Sequence, residues 1–214
     1  NGCNLAYIDE GKGDTTLLFI HGLATYALSW RHNIEYLKQH FRCIALDLPG
    51  NGFSDRGDYP YGIDFFSGCA YDFMQNLKLK NVALVGHSMG GQVVLNLAIK
   101  KPGCADKLVL CAPAGFETFT AFERGAYMSA IKVADLFSSD EQSLSKTISM
   151  SFYHYHPEAE RISNELINIL KTYPTKEYRR MIEACIHGML HEPVFEELGK
   201  VQQPSLIIFG EHDS

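Results

Sequence analysis

A serine with a glycine two positions away on either side lies in the stretch Gly86-His87-Ser88-Met89-Gly90. Four apolar residues, 82–85, precede it as a buried strand would, and an apolar helical pattern follows over 93–98. A strand that turns into a helix within a few residues leaves no room for side chains beside the turn, so both flanking positions need glycine. The turn would hold the serine hydroxyl above the helix N-terminus, whose N–H groups suit a developing oxyanion. The stretch therefore predicts a nucleophilic serine, although a glycine-rich turn in another doubly wound protein is the alternative.

Three further polar clusters each follow an apolar segment. His21-Gly22-Leu23-Ala24 follows 17–20, a turn-rich loop from Asp47 to Asp55 follows 42–46, and Gly210-Glu211-His212-Asp213 follows 206–209. The carboxyl ends of parallel strands meet at one edge of a sheet, where ligands bind. We expect these clusters to lie at the same edge as Ser88.

The elements that must position these residues alternate along the chain. Apolar runs predict strands at 3–9, 17–20, 42–46, 82–85, 108–112 and 206–209, and helical patterns predict helices near 30–37, at 64–78 and after Ser88. This alternation predicts an α/β fold with a doubly wound, mostly parallel sheet covered on both faces.

The interval between Ala112 and Leu206 is much longer than the other gaps between strands, and it carries three helical patterns. They lie at 127–134, 162–169 and 178–189, the last with Thr175 as its expected N-cap. We predict a first core segment at 1–115, an inserted helical cap at 116–195 and a second core segment at 196–214. The cap is rich in aromatic residues and methionine, which would either roof an apolar pocket or pack the cap helices. These residues are Phe116, Phe119, Phe122, Tyr127, Met128, Phe137, Met150, Phe152, Tyr153 and Tyr155.

In this order the motifs resemble the α/β-hydrolase superfamily, in its serine-hydrolase branch with a helical cap. The resemblance implies that Ser88 is the nucleophile at a nucleophile elbow. It also implies that the backbone N–H groups of Leu23 and Met89 form the oxyanion hole and that Asp213 is the acid of a catalytic triad. Glu117, after the strand that follows the elbow, is an alternative acid, and Asp47 is expected to brace its loop.

The same resemblance places a catalytic histidine after the acid and one further strand. None of the nine histidines of the sequence has that position, since Asp213 is followed only by Ser214. We therefore expect this histidine beyond Ser214 and expect the chain to be truncated at both ends. A histidine of the cap that serves as the base is the alternative.

Serine at the elbow distinguishes the chain from the dehalogenases and epoxide hydrolases of this superfamily, which carry aspartate there. We expect hydrolysis of carboxylic esters of small to medium apolar substrates through an acyl-enzyme intermediate, with no cofactor or metal. Hydrolysis of a C–C bond in a ring-cleavage product is an alternative. A non-catalytic, receptor-like ligand-binding protein is another.

The composition of the chain limits the kinds of partner that we expect it to bind. The 214 residues carry a formal net charge of −6, which argues against a nucleic-acid-binding surface. No apolar run is long enough for a membrane span, and no signal-peptide pattern is present. The six cysteines are scattered, without a C-x-x-C pair, and favour small buried residues and a cytoplasmic location. The expected partner is a small apolar ester, and the sequence makes no prediction of oligomeric state.

Overall fold

The computed structural model of the protein describes residues 2–134, 145–146, 148–149, 152–154 and 156–213. Within these ranges one sheet contains six strands: β1 Tyr7–Glu10, β2 Thr16–Ile20, β3 Arg42–Leu46, β4 Val82–His87, β5 Lys107–Cys111 and β6 Ser205–Ile208. Their spatial order is β1-β3-β2-β4-β5-β6. β1 runs antiparallel to β3, and all other neighbours are parallel. The predicted mostly parallel sheet is confirmed.

Helices connect the strands and cover the sheet. They are α1 Arg31–Leu37, α2 Ile63–Asn76, α3 Met89–Lys100, α4 Ala121–Ala134, α5 Pro157–Leu170 and α6 Thr175–His191, with 3-10 helices at Ala27–Trp30 and Phe195–Lys200. Successive side chains of a strand point to opposite faces. Phe19 of β2 accordingly packs in a cluster with Trp30 and Ile34, whereas Ile20 packs in the cluster that contains the buried residues of α2 and α3. Both faces of the sheet are therefore covered.

The two central strands, β2 and β4, are neighbours whose connections diverge. The chain leaves β2 through α1 to reach β3 on one side, and it leaves β4 through α3 to reach β5 on the other. Such a topological switch point opens a crevice at the carboxyl ends of the strands. The loop at His21–Leu23 and Ser88 lie there.

The segment 116–195 contains α4, α5 and α6, and part of it packs directly on the core helices. Met181, Ile182 and Cys185 of α6 are fully buried in the same cluster as α2 and α3. Gly188 of α6 lies so close to Gly62, before α2, that a Cβ placed on Gly188 would be 2.7 Å from the Gly62 Cα. The boundaries of a separate cap at 116–195 stay a prediction.

The first strand is shorter than predicted. β1 begins at Tyr7 rather than residue 3, because the preceding residues bond to the loop after β3. The Ala6 N–H donates to Ser54 Oγ at 2.8 Å, and the Asp55 N–H donates to the Asn4 carbonyl at 3.0 Å. β5 and β6 each begin one residue earlier than predicted.

The prediction of Thr175 as an N-cap is wrong. Pro174 is the N-cap of α6, and its carbonyl accepts the N–H groups of Glu177 and Tyr178 at 3.0 Å each. Proline has no N–H to satisfy and a φ fixed near −65°, so it suits the start of a helix. Thr175 is thus the first helical residue.

All six cysteines lie within the described ranges, and all are free thiols. Cys43, Cys69 and Cys185 are buried as expected, whereas the other three are partly exposed. None of the described helices has the length and apolar character that crossing a bilayer demands.

Candidate active site

Ser88 occupies the sharp turn between β4 and α3 and is the N-cap of α3. Its φ of 52° and ψ of −121° are unusual for a residue with a side chain and store backbone strain. Four backbone hydrogen bonds help to hold this conformation. The Ser88 N–H donates to the Cys111 carbonyl at 3.1 Å, and the Ser88 carbonyl accepts from Gly91 at 2.8 Å, Gln92 at 3.3 Å and Ala114 at 3.0 Å. The surrounding structure therefore determines the position of the serine.

The two glycines that flank the serine have the crowded surroundings that the sequence predicts. A Cβ placed on Gly86 would lie 2.5 Å from the Gly90 carbonyl oxygen, and one placed on Gly90 would lie 2.3 Å from the Ile20 carbonyl oxygen. Both obstacles are backbone atoms, which cannot move aside. Gly91, which the sequence analysis did not single out, is equally crowded by Pro113.

The loop after β2 packs directly on the serine turn. A Cβ placed on Gly22 would lie 3.2 Å from the Ser88 Cβ. The buried His21 ring braces this loop: Nδ1 donates to the Gly22 carbonyl at 2.8 Å, and Nε2 accepts the Leu48 N–H at 3.0 Å. Burial lowers the pKa of His21, and the two hydrogen bonds fix the neutral Nδ1–H tautomer. Because both ring nitrogens are occupied, His21 serves as a brace.

Two backbone N–H groups beside Ser88 remain available. The Leu23 N–H lies in the loop that packs on the serine, and the Met89 N–H is the first of α3, where helix geometry supplies no intrahelical acceptor. Neither donates a hydrogen bond to any residue that the structure describes. Whether they act as the predicted oxyanion hole stays a prediction.

Asp47 braces its loop, as expected. Its Oδ1 accepts the Ala27 N–H at 2.6 Å, and its Oδ2 accepts the Phe53 N–H at 2.9 Å. The side chain is buried, and a Cβ placed on Gly52 would collide with it. Asp47 thereby ties the loop after β3 to the 3-10 helix that precedes α1.

Asp213 lies in a turn after β6, on the same side of the sheet as the elbow. The pairing of the strands sets His87, Cys111 and Ile208 side by side, about 10 Å across at the usual strand spacing. The Asp213 N–H donates to the Gly210 carbonyl at 3.1 Å. Desolvation lowers the pKa of His87, and the negative charge of Asp213 opposes that shift. The role of Asp213 as the triad acid stays a prediction.

Glu117, the alternative acid, is engaged with its own loop. Its Oε2 accepts the Gly115 N–H at 2.8 Å.

A cavity of about 480 Å³ opens beside Leu23. Its wall is mostly apolar and includes Leu23, Phe119, Tyr127, Ile186 and Leu190. Glu117, Arg124 and Glu196 add charged groups.

The aromatic residues expected to roof a pocket divide into several groups. Phe119 and Tyr127 line the cavity, and Phe116 and Met128 pack against the main core cluster. Phe122, Phe152 and Tyr153 are exposed, and Phe137, Met150 and Tyr155 lie outside the described residues. Phe119 also packs against that cluster, and a roof over a substrate pocket stays a prediction.

Gln92 is a polar residue of the cavity wall that is 1% exposed, and no sequence motif predicts this position. Its Nε2 donates to the carbonyls of Met189 and Glu192, each at 3.1 Å. The only sequence signal is an amide side chain one turn after the serine, directly before an apolar pattern. Among the described residues, no three His, Cys, Asp or Glu side chains are grouped so that they could hold a metal ion.

Comparison with known proteins agrees with this architecture. A family model described as the alpha/beta hydrolase fold matches residues 15–214. A pimeloyl-[acyl-carrier protein] methyl ester esterase of Nitrosospira multiformis is 26% identical over 214 residues, 97% of this chain and 80% of that protein. The crystal structure of a probable hydrolytic enzyme, PA3053, of Pseudomonas aeruginosa PAO1 is similar with a TM-score of 0.81 at 24% identity, covering 99% of this chain and 70% of that one.

A higher identity extends over a shorter region. An uncharacterized hydrolase of Bacillus subtilis, YugF, is 35% identical over 118 residues, which are 54% of this chain and 43% of YugF. The chain thus spans less than half the length of the first curated relatives it matches. The family model covers nearly the whole chain, and the chain therefore belongs to the α/β-hydrolase fold family.

Proposed function

We propose that this protein is a serine hydrolase that cleaves carboxylic esters of small to medium apolar substrates through an acyl-enzyme intermediate. The observation that carries the proposal is the strained Ser88 backbone at the start of α3, packed against the loop that contains Leu23. The N–H groups of Leu23 and Met89 have no partner among the described residues. A serine hydroxyl at a turn with free N–H donors nearby would suit attack on a carbonyl whose oxygen becomes negative.

In the proposed reaction, Ser88 Oγ attacks the acyl carbon and its proton passes to a histidine base. The Leu23 and Met89 N–H groups receive the oxyanion, and each such donor typically lowers the barrier by about 3–4 kcal/mol. The alcohol leaves with the proton, and water then hydrolyses the acyl-serine by the same steps. Asp213 orients the histidine, which the resemblance to the family places after Asp213 in the chain.

Two features are consistent with esters and separate them from epoxides. The nucleophile is serine, whereas opening of an epoxide in this superfamily uses aspartate. The cavity beside Leu23 has a mostly apolar wall, which suits an acyl chain. The name of the Nitrosospira relative, a methyl ester esterase, supports the same bond type.

Fluorophosphonate labelling of the full-length protein tests the proposal. We expect one covalent adduct, which peptide mass spectrometry locates at Ser88, and no adduct in Ser88→Ala. Ser129→Ala, which alters an exposed serine of α4, should label like the wild type and is the matched control. Absence of labelling in folded protein would contradict a catalytic serine and favour a ligand-binding role.

A further inference from the structure

Two histidines at the end of α6, His187 and His191, are four residues apart and therefore lie on the same face of the helix. Both side chains are exposed to solvent. Their rings are stacked, with centroids 4.0 Å apart and planes 10° from parallel. Two histidines at this spacing on one helix face are a pattern by which helices bind zinc. The pair is closely spaced and accessible, and the proposed hydrolysis does not use it.

A hydrogen bond determines which ring nitrogen His191 can offer to a ligand. Its Nδ1 lies 3.0 Å from the His187 carbonyl oxygen. Because a carbonyl only accepts hydrogen bonds, Nδ1 carries the proton of the neutral ring and Nε2 keeps a free lone pair. Histidines that bind metal ions commonly donate their other ring N–H in this way, which fixes the orientation of the ring. His191 Nε2 is thus prepared as a ligand atom.

The His187 ring can join His191 in binding an ion. It makes no hydrogen bond to the residues that the structure describes, and its contacts are the stack on His191 and a charge interaction with the Glu192 carboxylate. An ion that both imidazoles bind must lie in the plane of each ring, so the rings have to tilt out of their parallel stack. The torsion about the Cβ–Cγ bond of histidine is soft, and an exposed ring without hydrogen bonds can make this turn.

The surroundings of the pair favour a cation. His187 and His191 belong to the last turns of α6, and the C-terminal end of a helix is the negative end of its dipole. The Glu192 carboxylate, which accepts the Asp64 N–H at 2.6 Å, adds negative charge beside His187. Imidazole nitrogens suit Zn²⁺, Cu²⁺ and Ni²⁺, whereas Mg²⁺ prefers oxygen ligands. The chemistry of the pair therefore selects a transition metal.

We propose that His187 and His191 form a binding site for a divalent transition-metal ion, with water as the remaining ligands. Within the described ranges, no third His, Cys, Asp or Glu side chain completes the pair, so the ion is held by two protein ligands. An ion bound by both histidines links the last two turns of α6. Because the two rings are brought together only by the folded helix, binding stabilises the folded state. The proposal does not depend on the chemistry of Ser88.

Isothermal titration of the untagged full-length protein with NiCl₂ tests the site. Ni²⁺ is the probe because it suits imidazole, whereas Zn²⁺ also binds thiols, of which this chain has six. His187→Gln and His191→Gln should each weaken the tightest Ni²⁺ binding by at least about tenfold, because each removes one of two ligands. MgCl₂ should show no binding at the same site.

His40→Gln is the matched control, since it removes an exposed histidine outside the pair and should leave the Ni²⁺ affinity unchanged. Circular dichroism verifies that each variant is folded. Thermal unfolding is the second measurement: saturating Ni²⁺ should raise the Tm of the wild type and of His40→Gln, but not that of His187→Gln. Unchanged Ni²⁺ affinity in folded His187→Gln and His191→Gln, or an equal loss of affinity in His40→Gln, overturns the proposal.

Discussion

The elbow at Ser88 and the loop at Gly210–Asp213 both follow parallel strands, yet they are held in different ways. β4, which leads to the elbow, is buried from Val82 to Gly86 and has neighbours on both sides. β6, which leads to the second loop, pairs with β5, and all four of its residues are exposed. Among the described residues, the serine is thus positioned by the backbone at the centre of the sheet, whereas Asp213 follows a strand that pairs with β5 alone.

The glycines of the two regions show the same contrast. A Cβ on Gly90 would lie 2.3 Å from a backbone oxygen, whereas the nearest atom to a Cβ on Gly210 would be 3.8 Å away. The segment 116–195 also contacts the two regions through different residues. At the loop Gly210–Asp213, the Tyr153 ring stacks on the His212 ring, with centroids 4.3 Å apart. Among the described residues, Ser88 is therefore held by dense backbone packing, and the loop at Gly210–Asp213 by few contacts.

The largest expected effect comes from the serine itself. Ser88→Ala in the full-length protein should lower kcat on p-nitrophenyl butyrate by at least about 10⁵-fold, because the members of a triad act as a unit. Ser88→Gly should be equally inactive but more stable than Ser88→Ala in urea denaturation, by about 0.5–1 kcal/mol, since glycine tolerates the positive φ. A Ser88→Ala variant with near wild-type kcat would show that another residue is the nucleophile.

Substitution of Asp213, the proposed triad acid, is the next test of the comparison between the two loops. Asp213→Asn should lower kcat by about 10⁴-fold, because under the proposed mechanism the variant would no longer orient the histidine base. Glu117→Gln is the matched control and should leave turnover nearly unchanged, since Glu117 is bonded to its own loop. A larger loss in Glu117→Gln than in Asp213→Asn would exchange the two roles.

The same contrast explains what the sequence can predict. The elbow is readable because a strand, two glycines and a helix are neighbours along the chain, and the steric reason lies within Gly86–Gly90. The start of β1 was not readable, because Asn4 and Ala6 bond to a loop about fifty residues away. Gln92 was missed for the same reason, since the carbonyls that orient its amide belong to the distant α6. A steric requirement between neighbouring residues can be recognised in the sequence, whereas a hydrogen bond between residues far apart in the chain cannot.

Paired glycine substitutions measure the difference in packing directly. Gly90→Ala should destabilise the protein by about 3 kcal/mol or more, because its Cβ would meet the carbonyl oxygens of Ile20 and His21. Gly210→Ala should cost less than about 0.5 kcal/mol, since the nearest atom to the added methyl, the Asp213 Cβ, would lie 3.8 Å away, at an ordinary van der Waals distance. Urea denaturation gives both values. Equal costs would show that the two loops are packed alike.

On the side of the sheet edge where Ser88 lies, the core contacts the segment 116–195 through a polar interaction. Arg31 of α1 donates to both carboxylate oxygens of Glu165 in α5, with Nη1 3.0 Å from Oε1. The Tyr26 hydroxyl donates to Glu165 Oε2 at 3.1 Å, and burial raises the pKa of Tyr26 to about 12. The hydrogen bond from Arg31 lowers the pKa of Glu165. This ion pair fastens α5 to the part of the core that follows the His21–Leu23 loop.

The smallest expected effect is the pH dependence of this ion pair. Because folding lowers the pKa of Glu165, its contribution to stability is fully present above the ordinary glutamate pKa of about 4.3 and is lost as the pH falls through the folded value. Glu165→Gln should therefore destabilise the protein at pH 7 by at most about 1 kcal/mol, since the carboxylate is partly exposed and screened, and the difference should shrink towards pH 3. Glu160→Gln, an exposed site on the same helix, is the control and should change little at either pH. A cost of Glu165→Gln that stays constant from pH 7 to pH 3 would mean that packing, not charge, fastens α5 to the elbow side.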